Sequence, residues 1–167
     1  MKIFGIAGWS GSGKTSLMVR LLPELTRMGL RVSTMKHAHH AFDVDQPGKD
    51  SHSHREAGAS EVMITSANRW ALMHENRGDA EPTIDELVQH MTPVDLLLIE
   101  GFKRSPHPKL EVFRRATRKP LLALEDAHVV AVACDELVPE VLIPVLDLNR
   151  ADVIARFVVT HCGIVSR

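Results

Sequence analysis

Gly8-Trp9-Ser10-Gly11-Ser12-Gly13-Lys14-Thr15 fits the pattern G-x-x-x-x-G-K-[ST], and its chemistry is phosphate binding. Glycines let successive backbone N–H groups close around a polyphosphate, and a helix opening at the end of the loop adds its positive dipole end. Residues Gly8 through Ser16 are therefore expected to cradle phosphate. Lys14 would reach the β- and γ-phosphates, and the Thr15 hydroxyl would ligate Mg²⁺. Such a loop needs a carboxylate at the carboxyl end of a neighbouring strand to hold the metal. The apolar run at 94–100 offers Asp95 and Glu100, five residues apart and so about 16 Å apart along a strand. Ligands bind beyond the carboxyl ends of parallel strands, which selects Glu100 and leaves Asp95 as a surface or capping residue at the strand entry.

A second dense run of functional side chains spans residues 36–51, KHAHHAFDVDQPGKDS. Lys36 and His37 are suited to phosphate. Asp43, Asp45 or Asp50 can enter the Mg²⁺ shell or orient a water, and Asp45 is carried forward as the metal candidate. His37, His39, His40, His52 and His54 are also zinc-ligand types, but no cysteine lies nearby and histidine spacing alone is a weak signal. Asp135, after an apolar strand at 129–134, can accept from guanine N1–H and N2–H₂. Its competing reading is a turn aspartate, because the N-K-x-D guanine signature is absent.

These residues must be positioned by alternating strands and helices. Residues 2–7 read as a strand entering the loop, and Leu17, Met18, Leu21, Leu22, Leu25 and Met28 recur at helical spacing up to Gly29, a suitable C′ residue. Strands follow at 31–36, 61–65, 70–74, 94–100, 110–114, 129–134 and 143–146. Helices are expected over 52–57, from the Thr83-Ile84-Asp85-Glu86 capping box, and over 151–160. The short link between 61–65 and 70–74 implies an antiparallel pair. The predicted architecture is α/β: a three-layer P-loop NTPase fold with a mostly parallel sheet and a small antiparallel β insert, forming a single nucleotide-binding domain over 1–167.

With 167 residues the chain is long enough for a sizeable core, and a net charge of −1 gives no global attraction to nucleic acid or anionic lipid. The strand begins at residue 2, leaving no room for a signal peptide, and no apolar run approaches a membrane span. A cytoplasmic protein with no membrane or nucleic-acid partner is expected. Cys134 and Cys162 lie far apart, outside any C-x-x-C, which argues against a disulfide or cysteine zinc site.

Taken together, several strings resemble the family of molybdopterin-guanine dinucleotide biosynthesis protein B. They are the P-loop; Lys36-His37-x-His39-His40-x-x-Asp43-x-Asp45-x-Pro47-Gly48-Lys49-Asp50-Ser51; Arg55-x-Ala57-Gly58-Ala59; Arg69-Trp70-Ala71-Leu72-Met73; and Glu100-Gly101-Phe102-Lys103. The resemblance spans most of the chain. It implies a GTP-binding protein with weak GTPase activity; Lys14 and Glu100, selected above from the motif and the strand direction, are its catalytic candidates. It further implies a homodimer that assists the guanylyltransferase attaching GMP to molybdopterin, in contact with that enzyme, with molybdopterin or with its guanine dinucleotide. Trp9 stands where the partition ATPases carry a second lysine, which sets the chain apart from them. Two other readings of the residues are a P-loop small-molecule kinase, with arginines 114, 115 and 118 as lid groups or simply a basic loop, and a metal-delivery GTPase using the histidine loop. The strands at 61–65 and 70–74 offer an edge through which two copies can pair.

Overall fold

The computed structural model describes residues 1–38 and 42–165. In chain order the elements are β1 (Lys2–Ala7), α1 (Lys14–Arg27), β2 (Val32–Lys36), α2 (Asp50–Glu56), β3 (Glu61–Thr65), β4 (Trp70–His74), α3 (Ile84–Gln89), β5 (Leu96–Glu100), β6 (Lys109–Val112), β7 (Val129–Cys134), β8 (Val145–Asp147) and α4 (Ala151–His161). Two short 3₁₀ turns occupy Arg115–Thr117 and Leu122–Leu124. These elements form two compact units, one made of Met1–His37 with the chain from Pro93 onward, the other of Ala38–Thr92.

The first unit carries a six-stranded sheet in the order β2-β5-β1-β6-β7-β8, with every neighbouring pair parallel. Strand β5 is buried along its whole length, as its unbroken Leu-Leu-Leu-Ile run predicts for a parallel strand at the sheet interior. On one face Phe4, Ile6, Leu98 and Val112 meet the apolar stripe of α1 and the Ile154, Ala155 and Val158 side of α4. The opposite face of β7 presents Val132 and Cys134 to Phe113, Leu121 and Val138. Turns and irregular segments, the Leu122–Leu124 turn among them, close that face.

Two buried charges lie in the short strand β6. Lys109 is fully buried, and its Nζ donates to Lys103 O at 3.0 Å, Ser105 O at 2.8 Å and Asp126 Oδ2 at 2.7 Å. Glu111 is fully buried and accepts from the backbone N–H groups of Leu122 at 3.0 Å and Ala123 at 2.9 Å. Burial pushes the Glu111 carboxyl up from its ordinary value, and the two N–H donors oppose that rise.

Element boundaries follow local chemistry. Gly29 takes a left-handed φ of 82° just past α1. The Thr83 hydroxyl and Glu86 carboxylate form the reciprocal capping box on α3. Asp95 is the capping residue expected, its carboxylate accepting from Arg31 N at 2.8 Å. The strand expected at 143–146 begins instead at Val145, because Pro144 has no N–H to give a ladder, although its carbonyl accepts from Val132 N at 2.9 Å.

The second unit contains the two-stranded antiparallel sheet β3-β4, in register from Glu61 opposite His74 to Thr65 opposite Trp70. Arg55 organises it. Its guanidinium, 15% exposed, bonds Asp43 at 3.0 Å and Asp45 at 3.1 Å, and lies 3.8 Å from Glu75. Arg77 Nη2 in turn donates to the carbonyls of Arg55 and Ala59.

Candidate functional site

The turn from β1 into α1 is built as a phosphate cradle. Gly8 has φ 140°, and a Cβ there would lie 2.5 Å from Val112 O, so no other residue fits the exit from β1. Gly13 caps α1 in the left-handed region with no side-chain cap, leaving the first N–H groups of the helix directed outward. Ser10, Gly11, Gly13, Lys14, Thr15 and Ser16, with Lys36 and Glu100, line an open cleft of about 470 Å³.

Sheet register sets Glu100 beside this loop. Ile6 of β1 and Lys36 of β2 both pair with Glu100, so the three strands end level and β1 turns away just beyond. Thr15 Oγ1 donates to Glu100 Oε1 at 2.8 Å, and Lys36 Nζ lies 3.9 Å from the same oxygen. The loop hydroxyl and the strand-end carboxylate expected to share a metal are thus in contact. Both are hard oxygen donors of the kind Mg²⁺ takes, and one carboxylate is enough where substrate phosphates supply further ligands. Lys14 Nζ donates to Trp9 O at 2.9 Å. Burial lowers the Lys14 pKa; Glu100 raises it in part, and Lys103 and Lys36 lower it again. Cations are therefore concentrated around one buried carboxylate, an arrangement matched to a polyanion.

The remaining candidates are distributed differently. Asp45 belongs to the second unit, where its side chain is 2% exposed and both carboxylate oxygens accept from Arg55. The Asp45 carboxylate, expected in the Mg²⁺ shell, is thus paired with a guanidinium. His37 follows β2 with its N–H on Glu100 O at 2.9 Å and its ring 4.6 Å from that of Phe102. A Cβ on Gly101, where φ is 100°, would come within 3.0 Å of His37 Cβ, so this strand exit also requires glycine. His39 and His40 lie outside the described residues. Among the described residues no group of three or more His, Cys, Asp or Glu side chains is placed to hold a metal ion.

Asp135 stands at the end of β7 in an ion pair with Arg114 Nη1, and Arg114 Nε donates to Ser12 O at 3.2 Å. Arg114 thus ties the base candidate to the phosphate loop, a position that a run of arginines in a loop does not reveal. Arg115, by contrast, is turned to Glu140 and Glu136. Trp9 was legible only as a loop residue. Its indole N–H donates to Pro120 O at 2.8 Å, and its ring carries Lys103 Nζ at 4.3 Å and Lys119 Nζ at 5.8 Å from the centroid.

Comparison with known proteins adds the following. The family model described as molybdopterin guanine dinucleotide synthesis protein B, MobB, matches residues 3–135. The molybdopterin-guanine dinucleotide biosynthesis adapter protein of Escherichia coli K12 is 42% identical over 161 residues, covering 94% of this chain and 91% of that protein. The protein of the same name from Haemophilus influenzae is 43% identical over 158 residues, covering 93% and 86%. Among solved structures, a molybdopterin-guanine biosynthesis protein B superposes with a TM-score of 0.76 at 25% identity, over 95% of this chain and 99% of that one. A MobB homologue from Bacillus stearothermophilus superposes with a TM-score of 0.71 at 23% identity, over 98% and 99%, which bears on the fold.

Proposed function

The chain belongs to the MobB family, and from that premise we propose that it is a nucleotide-binding adapter in molybdopterin guanine dinucleotide biosynthesis that binds GTP with Mg²⁺. The observation that carries the nucleotide site is the 2.8 Å contact between Thr15 Oγ1 and Glu100 Oε1 beside Lys14. Lys14 neutralises charge on the β- and γ-phosphates, the opening N–H groups of α1 hold their oxygens, and Thr15 with Glu100 holds the metal. Mg²⁺, when bound, neutralises charge on the phosphate oxygens. Hydrolysis is slow, because Arg114, the arginine that bonds the phosphate loop, is engaged with Asp135 and Ser12. Asp135 accepts from the guanine edge and Arg114 orients it. Lys36, paired with Glu100, and His37, its ring tilted against that of Phe102 at the strand exit, complete the anion-facing rim.

The protein acts in the cytoplasm as a homodimer beside the guanylyltransferase. Support for pairing comes from the second unit. Among its described residues the buried apolar side chains reduce to Val62, while Met63 and Trp70 are each 62% exposed. A two-stranded sheet with so little core is marginal by itself.

Titration calorimetry with GTP, ATP and Mg²⁺ tests the nucleotide reading. Lys14→Ala should abolish measurable binding, and wild type should prefer GTP, with Asp135→Ala narrowing the gap. A buried donor–acceptor set supports roughly tenfold to hundredfold discrimination. Unchanged binding in a folded Lys14→Ala protein overturns the site. A pull-down of the guanylyltransferase should depend on GTP; rapid phosphorylation of a small metabolite without any partner would establish a kinase instead.

A further inference from the structure

We propose that Lys103 is a terminal-phosphate reader: it exchanges the Trp9 indole for the γ-phosphate of a bound triphosphate and keeps the indole when a diphosphate is bound. The proposal rests on the reading of the P-loop as a nucleoside triphosphate site and adds a discriminating residue to it.

Lys103 lies three residues past Glu100, on the chain leaving the carboxyl end of β5, where ligands of a parallel sheet bind. Segments in this position of nucleotide switches respond to the γ-phosphate. Its Nζ is 4.3 Å from the ring centroid of Trp9, and the carbonyl of that same residue accepts from Lys14 Nζ at 2.9 Å. Two ammonium groups therefore flank one phosphate-loop residue, and their repulsion contributes to the lowered pKa of Lys14. Lys36, which lines the cleft with Lys14, already faces Glu100 at 3.9 Å.

The surroundings of Lys103 allow a side-chain exchange while holding the backbone. Its carbonyl accepts from the fully buried Lys109 Nζ at 3.0 Å. The chain just before it is bent through left-handed φ values at Gly101 (100°) and Phe102 (46°). Trp9 is fixed as well, by the 2.8 Å bond from its indole N–H to Pro120 O, and Lys119 stays within 5.8 Å of the ring. The ammonium of Lys103 is then the group free to turn. A charge-assisted hydrogen bond to phosphate is stronger than a cation–π contact at a partly exposed ring, so a terminal phosphate within reach wins the exchange.

The test is calorimetry on the full chain with Mg²⁺, using a non-hydrolysable GTP analogue and GDP, on wild type, Lys103→Met and Lys103→Arg. Lys103→Met should lose roughly tenfold in affinity for the triphosphate and less than about twofold for GDP, with Lys103→Arg restoring most of the ratio. With two tryptophans in the chain, a Trp70→Phe background leaves Trp9 as the only indole. Its emission should then respond to the triphosphate and not to GDP, and the response should vanish in Lys103→Met. Equal losses for both nucleotides, no loss, or an unchanged Trp9 response overturn the proposal while leaving the site itself standing. A wild-type protein that binds neither nucleotide overturns both.

Discussion

Glu100 is held by two neighbours, the hydroxyl of Thr15 and, at 3.9 Å, the ammonium of Lys36, and a glutamine at this position alters both relations. Glu100→Gln keeps the volume but removes the charge that a divalent ion requires. Its apparent Mg²⁺ affinity in the nucleotide complex should fall by roughly tenfold or more, while binding measured without metal changes less. Mg²⁺ titrations of GTP hydrolysis check this, and an unchanged Mg²⁺ dependence removes Glu100 from the metal. A second residue, His107, makes the fold sensitive to acid. Its ring is buried over Gly5, and neither nitrogen has a hydrogen-bond partner among the described residues. Burial first, then the Lys109 charge and His128, depress its pKa from 6.5 to about 4, against an opposing pull from Asp126. Between those values the unfolded chain binds the proton and the folded one does not. Stability is therefore full well above pH 6.5 and declines as pH falls through the window towards 4, by on the order of 3 kcal/mol. Urea unfolding at pH 7 and pH 5 should show that slope in wild type and a smaller one in His107→Leu. Equal slopes would clear His107.

At the scale of elements, a chain of contacts runs from β6 to the phosphate loop. Glu111 holds the N–H groups of Leu122 and Ala123, that turn fixes the segment carrying Pro120, and Pro120 O receives the Trp9 indole. Glu111→Ala leaves two buried donors without an acceptor and should cost about 2–4 kcal/mol in urea unfolding. Glu111→Gln, which keeps one acceptor oxygen, should cost about half as much, and an Ala variant as stable as wild type would dismiss the anchor. This chain was not legible in the sequence, because its partners lie about ten residues apart or more and nothing local marks a glutamate or lysine in a four-residue strand as buried. Arg114 was read only as a lid or basic-loop arginine for the same reason: its partners, Ser12 and Asp135, come from the phosphate loop and the end of another strand. The phosphate loop and Glu100 were legible because spacing inside one motif and the direction of one apolar run determine them. The pairing of Asp43 and Asp45 with Arg55 was not legible, because sequence shows the charge of the acids and not the cation that meets it ten or more residues on.

For the whole molecule, pairing should be concentrated in the second unit. Changing Met63 and Trp70 to serine, both on the β3-β4 sheet and each 62% exposed, should convert a dimer to a monomer in light scattering without loss of nucleotide affinity. A variant that still weighs twice one chain would put the interface elsewhere. The parallel pairing of β2 with β5 has a topological consequence. A chain that leaves the carboxyl end of one strand must travel back the full length of its neighbour before it can enter in parallel, a trip usually made by one helix. Here the whole second unit makes that trip, since it contains everything from Ala38 to Thr92. The sheet demands only that the return be completed, so the content of the return path is free to diversify while the phosphate loop stays untouched. A transplant exposes that freedom: a single designed helix of about eleven residues spans the five residues of β5, roughly 16 Å. A chain with this helix and short turns in place of 38–92 should still fold and bind nucleotide, and should migrate as a monomer.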